Sequence, residues 1–444
     1  MADKIYRVPA IYKEMKKTTE PLTIRVPGSK SITNRSLLLA MLAEGASTLR
    51  GVLFSDDSRH FLQCVQDLGF RTTVDEDTCI VTVEGLGGKI PCTEASLNVG
   101  SAGTAARFLT AALGVSEGVF HMDASEQMRR RPMAPLLSSL KELGCEIVCE
   151  GEDCHFPFTL TAHGFGQDHI TIDIGHSSQF LSALLIASTL SAEDFTIQVE
   201  GTHGMAYIEM TRKMMEQFGV RVERPAADQF LICAGQHYNA LDYQIEPDVS
   251  AACYFYAMAP LLGIPVCVEH VHFESLQGDV EFLHILEKMG CTARETEQGI
   301  LLLPPAGTQA PAFHGITVDM SSCSDQAITL AAIAPFADSP TCIKGIGHIR
   351  FQESDRIHAI CTELTRMGIR CEETQDRITI YPGMPHPCTV ATYDDHRMAM
   401  GFALTGLRAE GIVIDDPGCC RKTFENYFEI LEQVIAKIKC PETL

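Results

Sequence analysis

SKSITNRSLLLA, from Ser29 to Ala40, opens on small polar and cationic residues and runs into an apolar body. Ser at a helix start caps the first free N–H groups, and Lys or Arg there can meet an anion at the positive end of the helix dipole. The same form returns five times. It is read in SAGTAARFLTAAL from Ser101, SSQFLSALLIAS from Ser177, DVSAACYFYAMA from Asp248, SDQAITLAAIA from Ser324 and DDHRMAMGFAL from Asp394, at intervals of 72, 76, 71, 76 and 70 residues. A second series runs in phase with the first. Helix-like segments end in an apolar residue and a glycine at Gly69, Gly144, Gly219, Gly290 and Gly368, and each glycine suits the left-handed cap that stops a helix. Short alternating strands follow these caps in CIVTVEG, FTLTAHG, FLICAG and RITIY. The chain therefore reads as six copies of a β/α unit of about 74 residues with two helices each. The capped helices are apolar round most of their circumference and belong inside sheet-covered domains. Packed three by three, their cation-bearing starts can converge on one cleft.

The whole chain sets limits on that reading. Its 444 residues are too many for a single core, and two or three domains are expected. With 45% hydrophobic and 21% charged residues it is globular rather than disordered. The net charge of −22 argues against a nucleic-acid or anionic-membrane partner, while leaving room for a small anion held by a few focused cations. None of the eighteen cysteines forms a C-x2-C pair, and the group Cys145, Cys149 and Cys154-His155 lacks a second half with ligand spacing, so no metal site is read. MADKIYRVPAIYKEMKK at the start holds no secretory apolar core, and mostly buried, inert thiols in a reducing cytoplasm are expected. Val249–Val268 carries no charge, but Pro260, Gly263 and Pro265 break it into a helix of about three turns and a strand, so no membrane span is expected.

Chemistry gathers at the helix starts. Gly28-Ser29-Lys30-Ser31 lacks the Gly-x4-Gly-Lys frame of a phosphate loop, leaving Lys30, Ser31 and Arg35 as a cationic helix start. Arg107, the run Arg129-Arg130-Arg131, and Ser177-Ser178-Gln179 follow at the same phase. The second half adds Arg350, Glu353, Asp355 and Arg356, then Asp395-His396-Arg397, then Arg421-Lys422. Arginine forks suit carboxylates and phosphates, because two N–H groups can meet two oxygens in parallel. Asp325 and Glu353 share that phase and could move protons among the cations.

VPGSKSITNR (Val26–Arg35), SAGTAAR (Ser101–Arg107), Ser178-Gln179, ESDR (Glu353–Arg356), DHRMAM (Asp395–Met400) and KTF (Lys422–Phe424) resemble, in this order and over nearly the whole chain, the 5-enolpyruvylshikimate-3-phosphate synthase family. The resemblance implies two similar α/β domains, each of three βαβαββ units arranged as an inside-out barrel. The chain would cross between them twice. The expected crossings give one domain of residues 28–246 and another of 1–27 plus 247–444, with the active site in the cleft between them. Two lobes whose facing surfaces both carry cations are expected to repel when empty and to close around an anionic ligand. The implied reaction moves the carboxyvinyl group of phosphoenolpyruvate to the 5-hydroxyl of shikimate 3-phosphate and releases phosphate, with no metal or organic cofactor and a monomeric chain. By family position, Lys30, Asp325 and Glu353 are catalytic. Lys30, Ser31, Arg35, Ser177, Ser178, Gln179, Asp325 and Gln352 would hold shikimate 3-phosphate. Lys30, Gly103, Arg131, Gln179, Arg356, Arg397 and Lys422 would hold phosphoenolpyruvate, and Asp57 would lie near the reacting centre. Gly103 would leave room for phosphoenolpyruvate, and sensitivity to the inhibitor glyphosate is expected.

Departures from the family pattern cluster at the ring-phosphate pocket. Gln352 stands where Lys is usual, Gly204 where Ser is usual, and His348 where Asn is common. On paper the pocket loses a cation and a hydroxyl, with His203, His348 or Arg350 as candidates to compensate. A charge-assisted contact is worth about 1.5–3 kcal/mol, so the loss bears on the choice of ring acid. Three other readings fit the residues less well. The enolpyruvyl transferases acting on UDP-N-acetylglucosamine usually carry a reactive Cys five residues before the Arg-Pro of the second unit, where this chain has Glu126. An RNA-end ligase would need RNA-binding cations that are absent. A non-catalytic scaffold would have no need of Glu353, Asp325 and Lys30 together.

Overall fold

The computed structural model describes residues 5–15, 20–306 and 313–440. Helices begin at the phase expected from the repeat. Ser29 caps the helix Lys30–Leu42, its Oγ accepting the Ile32 N–H at 3.4 Å. Asp248 caps Val249–Tyr256 through the Ala251 N–H at 2.8 Å, and Asp395 caps His396–Arg408 through the Arg397 N–H at 3.0 Å. The helices Gly103–Gly114 and Gln179–Ser188 start at that phase without a side-chain cap bond. Ser324 opens a short 3-10 turn, Ser324–Gln326, that leads into Ala327–Ile333. The second helix of five units, Asp56–Asp67, Ala134–Glu142, Met205–Gln217, Glu281–Lys288 and Arg356–Arg366, ends two residues before its glycine. These five glycines have φ of 89°, 102°, 95°, 108° and 79°, a region that a Cβ disfavours.

Among the described residues, six small sheets follow one plan. In each, a parallel pair is extended by antiparallel pairing on the second strand. Glu94–Asn98 runs parallel to Glu117–Asp123, which pairs antiparallel with Phe158–His163, which in turn pairs with Glu146–Cys149. The alternating strands read from sequence are these middle strands, and their period of two sends Phe158, Leu160 and Ala162 inward. Three sheets are completed from far along the chain, one of them by Asp242–Gln244 lying parallel to Glu44–Arg50. Leu22–Ile24 lies parallel to Val266–Glu269, and Tyr6–Arg7 lies antiparallel to Ile412–Ile414.

The chain divides into two compact units, one of Gly28–Glu246 and the other of the chain up to Pro27 and from Pro247 onward. In the first, the helices starting at Lys30, Gly103 and Gln179 form the interior; every residue of Gly103–Gly114 is buried. In the second, Val249–Tyr256, Ala327–Ile333 and His396–Arg408 take that place. Apolar residues on all sides of these helices explain the placement, since each fully buried large side chain contributes about 1.5–3 kcal/mol. The uncharged stretch from Val249 forms two short helices, Val249–Tyr256 and Met258–Leu262, and then the strand Val266–Glu269. No helix among the described residues is long and apolar enough to cross a membrane.

Candidate active site

In the unit containing Pro247 onward, one guanidinium organises the site. Arg356 stands at the first position of its helix and is 1% exposed. Its Nε donates to Asp395 Oδ2 at 2.8 Å, Nη1 to Asp325 Oδ1 at 3.1 Å, and Nη2 to Glu353 Oε2 at 2.7 Å. The other oxygen of each candidate acid meets a second cation. Asp325 Oδ2 accepts from Arg397 Nη2 at 2.8 Å, and Glu353 Oε1 lies 3.4 Å from Lys422 Nζ. Burial works against the Arg356 charge, but Asp395, Glu353 and Asp325 outweigh it and raise its pKa. Asp395 also accepts from Ser354 Oγ at 3.0 Å and from the Arg397 N–H, which holds its carboxylate in place. Asp325, Glu353, Arg356, Arg397 and Lys422, all singled out from sequence, are thus brought into one cluster. Three cations balance the three carboxylates Asp325, Glu353 and Asp395, so an anionic ligand must compete with these acids for their partners.

In the Gly28–Glu246 unit the interior helix starts carry the other set. Lys30 Nζ lies 3.5 Å from Asp57 Oδ2, a buried carboxylate. Arg35 is 1% exposed, and burial lowers its pKa to about 10, with Tyr207 acting in the opposite sense. It donates to Thr211 Oγ1 at 2.8 Å, to the Ser31 carbonyl at 3.0 Å and to the Tyr207 carbonyl at 3.4 Å, and lies over the Phe108 ring. Arg107 donates to Gln179 Oε1 at 3.0 Å and to the Pro132 carbonyl at 3.1 Å. It thereby ties the second helix start to the third. Gly103 lies beneath two guanidinia. A Cβ there would come within 2.6 Å of Arg107 Nη1 and 2.9 Å of Arg131 Nη1. The missing side chain therefore lets these arginines close on the helix start, a more specific reason than room for a ligand. Ser177 Oγ accepts the Gln179 N–H at 3.2 Å, and Ser178 is buried beside it.

The residues that depart from the family pattern also find physical reasons. Gly204 has φ +66°, and a Cβ there would sit 2.5 Å from Ser178 Oγ, so Ser178 fills the space that a side chain at 204 would need. Gln352 Oε1 accepts from Arg356 Nη1. Arg350, a candidate to replace the missing cation, is held instead by Asp355 at 2.8 Å and Glu373 at 2.8 Å and by the carbonyls of Thr374 and Gln375. His348 is placed better, with Nε2 2.7 Å from Ser324 Oγ in the turn that carries Asp325. One group near this turn was missed by sequence reasoning. Asp279 is buried, and burial, then Asp325, push its carboxyl up to about 6 against the opposing pull of Arg397 and Ser250. Asp279 lies two residues before Glu281–Lys288, the second helix of its unit, and as a lone acid without a neighbouring cation it was not singled out in the sequence.

Buried helices enclosed by small sheets in each unit are the architecture of the enolpyruvyl-transferase fold. The fold likeness extends to solved structures. An EPSP synthase from Acinetobacter baumannii superposes with a TM-score of 0.77 at 24% identity, over 97% of this chain and 98% of that one. An enolpyruvyl transferase from Streptomyces tendae gives 0.73 at 16% identity, over 95% of each chain. The profile of the family described as EPSP synthase (3-phosphoshikimate 1-carboxyvinyltransferase) matches residues 18–431. Curated proteins named 3-phosphoshikimate 1-carboxyvinyltransferase are 46% identical in Trichormus variabilis, over 91% of this chain and 94% of that protein, and 44% identical in Nostoc punctiforme, over 93% and 96%. A chloroplastic protein of that name from Arabidopsis thaliana is 40% identical, over 93% of this chain and 82% of that protein. The chain belongs to the EPSP synthase family.

Proposed function

We infer that the chain transfers the carboxyvinyl group of phosphoenolpyruvate to the 5-hydroxyl of shikimate 3-phosphate and releases phosphate. The observation that carries this reading is the cluster in which Asp325 and Glu353 each share their two oxygens between two cations. Addition requires a proton on C3 of phosphoenolpyruvate and loss of the 5-hydroxyl proton as its oxygen attacks C2. Elimination then removes a proton from the new methyl group and expels phosphate. We assign the C3 proton to Glu353 and the hydroxyl proton to Asp325, with Lys30 as proton partner. A ligand phosphate and carboxylate taking Arg356, Arg397 and Lys422 would strip cations from Glu353 and raise its proton affinity, so that binding prepares the acid. Arg131 and Gln179 would complete the phosphoenolpyruvate set, with the backbone at Gly103. Fixed donors of this kind are worth about 3 kcal/mol each when lost. Ser31, Arg35, Ser177, Ser178 and Gln352 would hold the phosphorylated ring, with His348 aiding the altered phosphate pocket. Free thiols throughout, about half of them buried, support a reducing, cytoplasmic setting, and the family resemblance supports a monomer and glyphosate competition with phosphoenolpyruvate.

Phosphate release from phosphoenolpyruvate, with shikimate 3-phosphate and unphosphorylated shikimate compared, tests the reading. Release with the phosphorylated ring, suppressed by glyphosate, is expected. Preference for the unphosphorylated ring would make Gln352 and Gly204 a change of specificity. Glu353→Gln should abolish turnover while ligand binding by calorimetry persists; turnover left intact would remove Glu353 from the chemistry.

A further inference from the structure

Asp279 lies on a 3-10 turn, Gly278–Val280, and is 4% exposed. Its Oδ2 accepts from Ser250 Oγ and, at 3.3 Å, from Gln326 Nε2, while its Oδ1 has no hydrogen-bond partner among the described residues. Both donors touch groups already placed in the site. Ser250 Oγ accepts from Arg397 Nη2 at 3.5 Å, and the same Nη2 reaches Asp325 Oδ2 at 2.8 Å. Gln326 directly follows Asp325 in the turn Ser324–Gln326, and its Oε1 accepts from Thr329 Oγ1 at 3.0 Å.

A carboxylate can only accept, and that decides the orientation of both neighbours. The Ser250 hydroxyl must send its hydrogen to Asp279, which leaves a lone pair facing Arg397. The Gln326 amide must turn its NH2 toward Asp279, which sends its carbonyl to Thr329 and fixes the turn behind Asp325. A buried acid with one oxygen unsatisfied is a costly way to fill space, and such costs are found where a site needs them.

We propose that Asp279 is a positioning residue, holding Arg397 through Ser250 and the Asp325 turn through Gln326, and so setting the geometry in which this pair meets the substrates. The proposal rests on the reaction inferred above. A small displacement of a reacting group can cost up to about 100-fold in rate, which sets the scale of the test.

The variants are Asp279→Ala, Asp279→Asn and Ser250→Ala, each checked for folding by circular dichroism and then assayed for kcat and KM with both substrates. Asp279→Ala should lower kcat/KM for phosphoenolpyruvate by about 10- to 100-fold, and Ser250→Ala by about 10-fold. Asp279→Asn keeps an oxygen that accepts both bonds and should stay within about 3-fold of the parent chain. A folded Asp279→Ala with unchanged kcat and KM overturns the proposal, as does an Asp279→Asn variant equally impaired. If Asp279→Ala does not fold, unchanged kinetics in Ser250→Ala overturn it. A parent chain without turnover would refute the reaction instead. The crystal structure of a folded variant, Asp279→Ala or otherwise Ser250→Ala, then decides separately: Arg397 moved off Asp325 supports positioning, and an unmoved pair rejects it.

Discussion

Arg356 satisfies three carboxylates from a position with almost no solvent, so its removal does more than delete a ligand contact. Arg356→Met would leave Asp395, Glu353 and Asp325 facing one another without their shared counter-charge. Breaking such a buried arrangement costs about 3–5 kcal/mol, and denaturant unfolding should read a loss of that order. The deficit should shrink as pH falls, because carboxylates that have lost a cation bind protons more readily and protonation relieves their repulsion. A deficit independent of pH would mean that packing rather than charge was lost. Most of this cluster was legible in the sequence, because cations recur at one phase of the repeat and two acids share it. Asp279 was not legible, since its importance comes from the Ser250 and Gln326 side chains that converge on it from other elements. Arg350 illustrates the converse: a cation well placed along the chain is engaged by Asp355 and Glu373.

At the scale of elements, burying whole helices inside sheets demands close approach on every face. Gly401, within the helix His396–Arg408, shows how close. A Cβ there would lie 2.7 Å from Ile328 Cγ2 on the neighbouring interior helix. Gly401→Ala gains helix propensity but overpacks this contact, at a cost of about 1–3 kcal/mol. Calorimetry should show the melting temperature falling by several degrees; a rise would mean that Ile328 repacks freely. The helix starts could be read from sequence because caps and apolar runs are local signals. The strands that complete two sheets in the second unit could not. Tyr6–Arg7 and Leu22–Ile24 are two and three residues long and owe their pairing to partners hundreds of residues away.

At the scale of the molecule, one unit is continuous in sequence and the other is not. Gly28–Glu246 carries its own three sheets and interior helices, and expressed alone it should melt cooperatively by circular dichroism. The piece from Pro247 onward lacks both early strands, so the edges of Val266–Glu269 and Ile412–Ile414 stay open to pairing with other chains. It should aggregate alone and recover solubility when residues 1–27 are fused or supplied. A soluble, cooperatively folding 247–444 fragment would show that the two early strands are dispensable.

The antiparallel partnership of Tyr6 with Ile414 also has a meaning in time. A ribosome makes Ile414, the partner of Tyr6, 414 − 6 = 408 residues after it, which at about 5–20 residues per second is roughly 20–80 s of translation. Through that interval the residues between them can fold, while Tyr6–Arg7 waits, unpaired, for Ile412–Ile414 to emerge.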